Sequence, residues 1–151
     1  MSLVKNKPAI KHNSNNSASI KRNGAAIKKM NDVLNQPVKN ASTDEFSLLK
    51  KISGYNNEDL AALVGITHRT IRNKKGNDEI FNIAQTERLR KLSLLFEEGN
   101  ELFNNNEQFN QWLQKPSYRL DYNIPADLLQ HPGGLNKVMN DLNSIKFGDT
   151  V

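Results

Sequence analysis

Residues 57–76 read NEDLAALVGITHRTIRNKKG. Leu60, Ala61, Leu63 and Val64 recur at helical spacing, with Asn57 as a candidate cap, and the run stops at Gly65. Thr67 is placed to cap a second short helix, whose single strongly apolar residue is Ile71 and which Gly76 closes. A helix-turn-helix needs a small residue where its helices cross, and Ala61 supplies it. It needs a turn residue tolerant of positive φ four positions later, and Gly65 supplies that. Leu60, Val64, Ile66 and Ile71 are the apolar anchors of the pair.

The polar face of the second helix then carries Thr67, His68, Arg69, Thr70, Arg72, Asn73, Lys74 and Lys75. These side chains reach base edges and phosphates when such a helix enters the major groove, with Arg to guanine the commonest specific pairing. Thr67 reads equally as a cap and as a phosphate ligand, and His68 as a surface imidazole or a base contact. Lys74 stands where many such helices carry an apolar residue.

Outward from this stretch the pattern stays helical. Upstream, Ser42-Thr43-Asp44-Glu45 has the Ser-x-x-Glu form of a capping box, and Phe46, Leu49 and Ile52 follow at helical spacing to Gly54. Residues 1–41 are basic, rich in Asn and Ser, and expected to be largely flexible, with Ala26–Leu34 a possible short helix. Downstream, a connecting helix is expected over 77–103, starting at Asn77 and Asp78, with a kink or break at Gly99. Residues 104–151 read as a compact unit: a short helix with Phe109, Trp112 and Leu113, a second opening at Pro125, and a turn at His131–Gly134. A last helix carries Leu135, Val138, Met139, Leu142 and Ile145. No strand pattern competes, so the fold class is all-α.

Charge divides along the chain. Residues 1–42 carry a net +7, residues 43–76 a net +2 and residues 77–151 a net −4, for +5 in total. The basic front suits a polyanion and the acidic back a different partner. No apolar run approaches the roughly 18–20 residues of a membrane span, and no signal peptide is evident, so a cytoplasmic protein is expected. With no cysteine, disulfides, thiolate catalysis and cysteine-ligated metals are excluded. His12, His68 and His131 are scattered and there is no phosphate loop or nucleophile elbow, so no catalytic residue, metal or cofactor is expected.

The order of these pieces resembles the Xre/MbcA/ParS family of bacterial antitoxins. From Arg88 to Asp149 the resemblance rests on Leu102-Phe103, Trp112-Leu113-Gln114-Lys115-Pro116 and Leu120. It continues through Pro125-Ala126-Asp127-Leu128-Leu129, Gly133-Gly134, Val138, Leu142, Ile145 and Phe147-Gly148. It implies a type II antitoxin whose C-terminal unit occludes a RES-domain toxin that degrades NAD, and whose helix-turn-helix represses its own operon at operator DNA. The implied toxin contacts are Trp112, Leu142, Ile145, Lys146, Phe147, Gly148, Asp149, Thr150 and Val151.

Three departures stand out. The family's Leu-Gly-Gly is Leu120-Asp121-Tyr122 here, where a different loop path is expected. Lys146 replaces a Glu, and Asn104 replaces a Gly, an exchange asparagine tolerates because it visits left-handed backbone. A homodimer is expected, since helix-turn-helix readers generally use two half-sites. Two alternatives remain: a stand-alone regulator whose C-terminal unit only dimerises, and a protein-binding module that has lost DNA binding.

Overall fold

The structure is a computed structural model and describes residues 17–35, 39–73 and 80–148. Eight α-helices are described: α1 (Ser17–Leu34), α2 (Thr43–Ser53), α3 (Asn57–Val64), α4 (His68–Asn73), α5 (Ile83–Phe103), α6 (Asn106–Leu113), α7 (Pro125–Leu128) and α8 (Gly134–Lys146). A 3-10 turn, Tyr118–Leu120, lies between α6 and α7. No strand occurs among the described residues, as the all-α reading expects.

Helix α5 is the spine. It packs against α1, α2 and α3 on the N-terminal side and against α6 and α8 on the C-terminal side. Leu89, Leu92, Leu95 and Phe96 of α5 are fully buried. They join Phe46, Leu49, Leu60 and Val64 to Phe109, Leu113, Leu129, Val138 and Leu142 in one continuous apolar cluster. Helices α2 and α3 and the C-terminal helices therefore share a core.

Several local expectations are refined. Helix α1 begins at Ser17, nine residues before the expected Ala26, and its Met30 is buried at 1% exposure. Burial of that one long apolar side chain supplies the anchor that a polar segment otherwise lacks. Helix α5 begins at Ile83, later than Asn77, because Asn82 makes a complete capping box with Gln85. Asn82 Oδ1 accepts from the Gln85 amide at 2.8 Å, and Gln85 Oε1 accepts from the Asn82 amide at 3.0 Å. Asn77 and Asp78 lie outside the described residues. Helix α3 is capped by Asn56, one residue before Asn57, whose side chain accepts from the Asp59 amide at 2.8 Å.

At α2 only half of the expected capping box forms. Ser42 Oγ accepts from the Glu45 amide, but the Glu45 carboxylate turns to Arg90 on α5 instead. Arg90 grips it with two nitrogens at 3.1 and 3.2 Å and also donates to the Lys39 carbonyl at 2.9 Å. A two-point pairing of carboxylate with guanidinium outweighs a single carboxylate-to-amide bond, which explains the choice.

The expected kink or break at Gly99 does not interrupt α5, which runs through it as one helix. Gly99 is buried, and a Cβ there would lie 2.3–2.4 Å from the ring of Phe109 on α6. The residue is glycine so that α6 can approach, not so that α5 can bend. Asn104 ends α5 at φ 62, the left-handed geometry expected of it.

Candidate functional site

Two surfaces were expected to carry function, and the first is the α3–α4 pair. Gly65 has φ 84, which glycine adopts without the Cβ clash that penalises other residues. The amides of Gly65 and Ile66 both return to the Ala61 carbonyl at 2.9 Å, closing α3 and sending the chain back into α4. Ala61, Leu60 and Val64 are buried beneath this turn. Thr67 acts as a cap: its Oγ1 accepts from the Thr70 amide at 3.2 Å and lies 2.7 Å from Thr70 Oγ1.

The remaining side chains of α4 sort by exposure. His68, Arg69, Arg72 and Asn73 are exposed together with Thr67, whereas Thr70 and Ile71 are half-buried. Lys74 and Lys75 lie outside the described residues. Arg69 and Arg72, three positions apart, share one helix face.

Two residues to which the sequence assigned no role in the site brace this turn. Gln85 Nε2 on α5 donates to the Gly65 carbonyl at 2.9 Å. Arg88 donates through Nε to the Leu63 carbonyl and through its terminal nitrogen to the Leu129 carbonyl just after α7. One guanidinium thus satisfies carbonyls at the end of α3 and in the C-terminal unit. Its burial lowers the Arg88 pKa from the ordinary value. The signal was faint because a polar residue on a connecting helix looks like ordinary solvated surface.

The second surface lies in the C-terminal unit. Trp112 is half-buried and stacks on Phe109 with ring centroids 5.8 Å apart and planes 15° apart, while Phe103 lies 5.8 Å away on another side. It is part of the packing that fixes α6 against α5. Leu142 is fully buried, so its side chain belongs to the core and offers no surface to a partner. Ile145 is half-buried, and Lys146, Phe147 and Gly148 are exposed, Phe147 at 80%. Asp149, Thr150 and Val151 lie outside the described residues. The expected contact set thus divides into a packed platform and a short exposed end of α8.

Between these elements, residues 117–123 form a closed loop. The Tyr122 amide donates to the Ser117 carbonyl at 2.8 Å and the Ser117 amide to the Asn123 carbonyl at 3.1 Å. Asp141 of α8, 5% exposed, accepts from Ser117 Oγ at 2.8 Å and pairs with Arg119 Nε at 3.2 Å. Asp121 and Tyr122, which stand where the family has Gly-Gly and where a different loop path is expected, both adopt left-handed backbone, with φ of 54 and 62. Glycine takes that geometry freely, whereas a Cβ-bearing residue is disfavoured there by roughly 1–2 kcal/mol. The exchange is absorbed as local strain.

Residues 98–148 match the family model of the antitoxin Xre/MbcA/ParS C-terminal toxin-binding domain. Over these residues, about a third of its length, the chain is similar to an antitoxin-type toxin-binding domain. This supports an antitoxin role in a toxin–antitoxin system with a cognate toxin as partner. No curated protein matches the chain. The matched segment takes in the end of α5, all of α6 to α8, the 117–123 loop and Phe147, and excludes α3 and α4. Among the described residues no group of His, Asp or Glu is arranged to hold a metal ion, and no helix is long and apolar enough to cross a membrane.

Proposed function

We propose that this protein is an antitoxin that neutralises a RES-domain, NAD-degrading toxin by stoichiometric occlusion. The observation that carries the reading is the family match over 98–148, taken with the exposed end of α8 inside it. Phe147 is a large apolar side chain left in solvent at the end of a helix whose other apolar residues pack inward. Such a residue suits insertion into a partner's cleft, with the exposed Lys146 beside it as part of a polar rim. Trp112 and the buried Leu142 act indirectly, by holding α6 and α8 where they are.

The second half of the proposal is operon repression in the cytoplasm through α3 and α4. Support comes from the left-handed turn at Gly65, the buried Ala61 and the exposed Arg69 and Arg72 on one helix face. A homodimer would present two such helices to two half-sites.

The test is co-expression of this chain with the product of its neighbouring gene, reading growth and cellular NAD. Restoration of both by this chain is the expected result. A harmless neighbour, or toxicity that this chain leaves untouched, would leave the stand-alone regulator as the better account.

A further inference from the structure

Five large apolar side chains among the described residues are exposed, and two of them, Tyr118 and Tyr122, stand on the same loop. Their rings meet edge to face, with centroids 5.6 Å apart and planes at 81°. Tyr118 is 65% exposed and Tyr122 68%, so each ring shows most of its surface to solvent. We propose that this pair is an anchor by which the C-terminal unit grips its toxin, at a place distinct from the end of α8.

Three observations carry this. First, Tyr122 sits at φ 62, a conformation disfavoured for a bulky residue, and the fold gains little from the ring because its aromatic contact is with the equally exposed Tyr118. Strain kept at an exposed position, where glycine would remove it, points to a use outside the fold. Second, the loop is held rigid. Its ends are joined by the 117–122 and 117–123 hydrogen bonds, Asn123 Nδ2 donates to the Leu120 carbonyl at 2.7 Å, and Leu120 is buried. An aromatic side chain on an already ordered loop loses little freedom on binding, and tyrosine is enriched among the residues that dominate interfaces.

Third, the location selects the occupant. The loop lies inside the toxin-binding match, and the buried Asp141 fastens it to α8, the helix that ends at Phe147. Tyr118, Tyr122 and Phe147 are therefore parts of one rigid unit. Nucleic acid is a poor fit, because Asp121 beside the pair is exposed and residues 77–151 carry a net −4. The inference rests on the antitoxin reading and adds a second point of contact to it.

The experiment uses the full chain, the toxin encoded beside it, and the variants Tyr122→Gly and Tyr118→Ser. Tyr122→Gly removes the ring and relieves the backbone together, so it should fold at least as well as the wild type. The expected result is an unchanged or higher Tm for Tyr122→Gly with a toxin Kd raised ten-fold or more. Tyr118→Ser should show a similar loss of affinity, and Tyr122→Phe should show little. Wild-type toxin affinity in Tyr122→Gly overturns the proposal and leaves the antitoxin reading standing. Unaltered toxin affinity with a lost dimer in sedimentation overturns it in favour of a second copy of this chain. A wild-type chain that fails to bind the toxin at all overturns the reading, and this proposal with it.

Discussion

Gly99 lies directly against the ring of Phe109: a Cβ at residue 99 would come within 2.3 Å of Phe109 Cζ. Phe109 is fully buried, with the rings of Phe96, Phe103 and Trp112 all within 6 Å of its own, so it has little room to retreat. Gly99→Ala gains up to about 1 kcal/mol of helix propensity but forces overpacking that typically costs about 1–3 kcal/mol. Overpacking outweighs propensity, and Gly99→Ala should lower the midpoint of urea unfolding. A raised midpoint would mean that α6 shifts easily.

The Glu45–Arg90 pair should resist single substitution. Both side chains are largely buried, at 11% and 18% exposure. Arg90→Ala strands a desolvated carboxylate and removes one hydrogen bond to the Lys39 carbonyl, with an expected loss of about 3 kcal/mol. Replacing both residues with apolar ones of similar size should cost far less. A double-mutant cycle by chemical denaturation separates the two cases, and additive losses would show that the pair contributes nothing as a pair.

Glu97 on α5 makes stability fall as pH rises. Burial, and then the neighbouring charges of Glu101 and Glu98, push its carboxyl up to about 7 from the ordinary 4.5. Between those values the folded chain holds a proton that the unfolded chain has released. Stability is therefore greatest below about pH 4.5 as far as this group is concerned, and it declines through the window up to 7. The effect should be on the order of 1 kcal/mol after screening. Glu97→Gln should flatten the slope and leave the variant more stable than wild type at pH 8. Identical pH profiles of Tm would contradict the assignment.

The reach of the sequence follows from which signals are local. Helical spacing placed Leu60, Val64, Val138 and Leu142 in the core because periodicity reports a face directly. Leu142, expected also as a toxin contact, is fully buried for the same reason: a perfect position on the stripe is a buried one. The function of Gly99 was misread because helix propensity is a property of α5 alone, whereas the ring that requires the glycine arrives from α6. Glu45 looked like a cap because Arg90 lies 45 residues away. The role of Arg88 was missed on similar grounds, since two distant carbonyls leave no trace in residue type.

Arg69 and Arg72 provide the test of the DNA reading. If α4 reads a groove, Arg69→Ala and Arg72→Ala should each weaken binding to operator DNA by about 1–3 kcal/mol where they contact bases. If they touch only phosphates, the loss should be uniform across sequences and the salt dependence shallower by about one ion each. Thr67→Ala should instead cost about 1 kcal/mol of stability, through its cap. Electrophoretic or fluorescence titration at several salt concentrations distinguishes these outcomes, and unaltered affinity in both Arg variants would move the DNA contact away from α4.

Deleting residues 146–151 separates folding from neutralisation. Helix α8 is held by Leu135, Val138 and Leu142, all buried, and by Asp141, none of which the deletion touches. Phe147 at 80% exposure contributes little to the core, so unfolding free energy should change by no more than about 0.5 kcal/mol, the usual scale for surface changes. Occlusion of a toxin's cleft, by contrast, requires the end of α8 to be present. The truncated chain should still bind the toxin through the 117–123 loop, more weakly, yet fail to protect NAD. Protection of NAD by the truncated chain would locate the inhibitory contact elsewhere on the 98–148 unit. Loss of binding altogether would make Phe147 and its neighbours the dominant anchor and the Tyr118–Tyr122 pair a minor one.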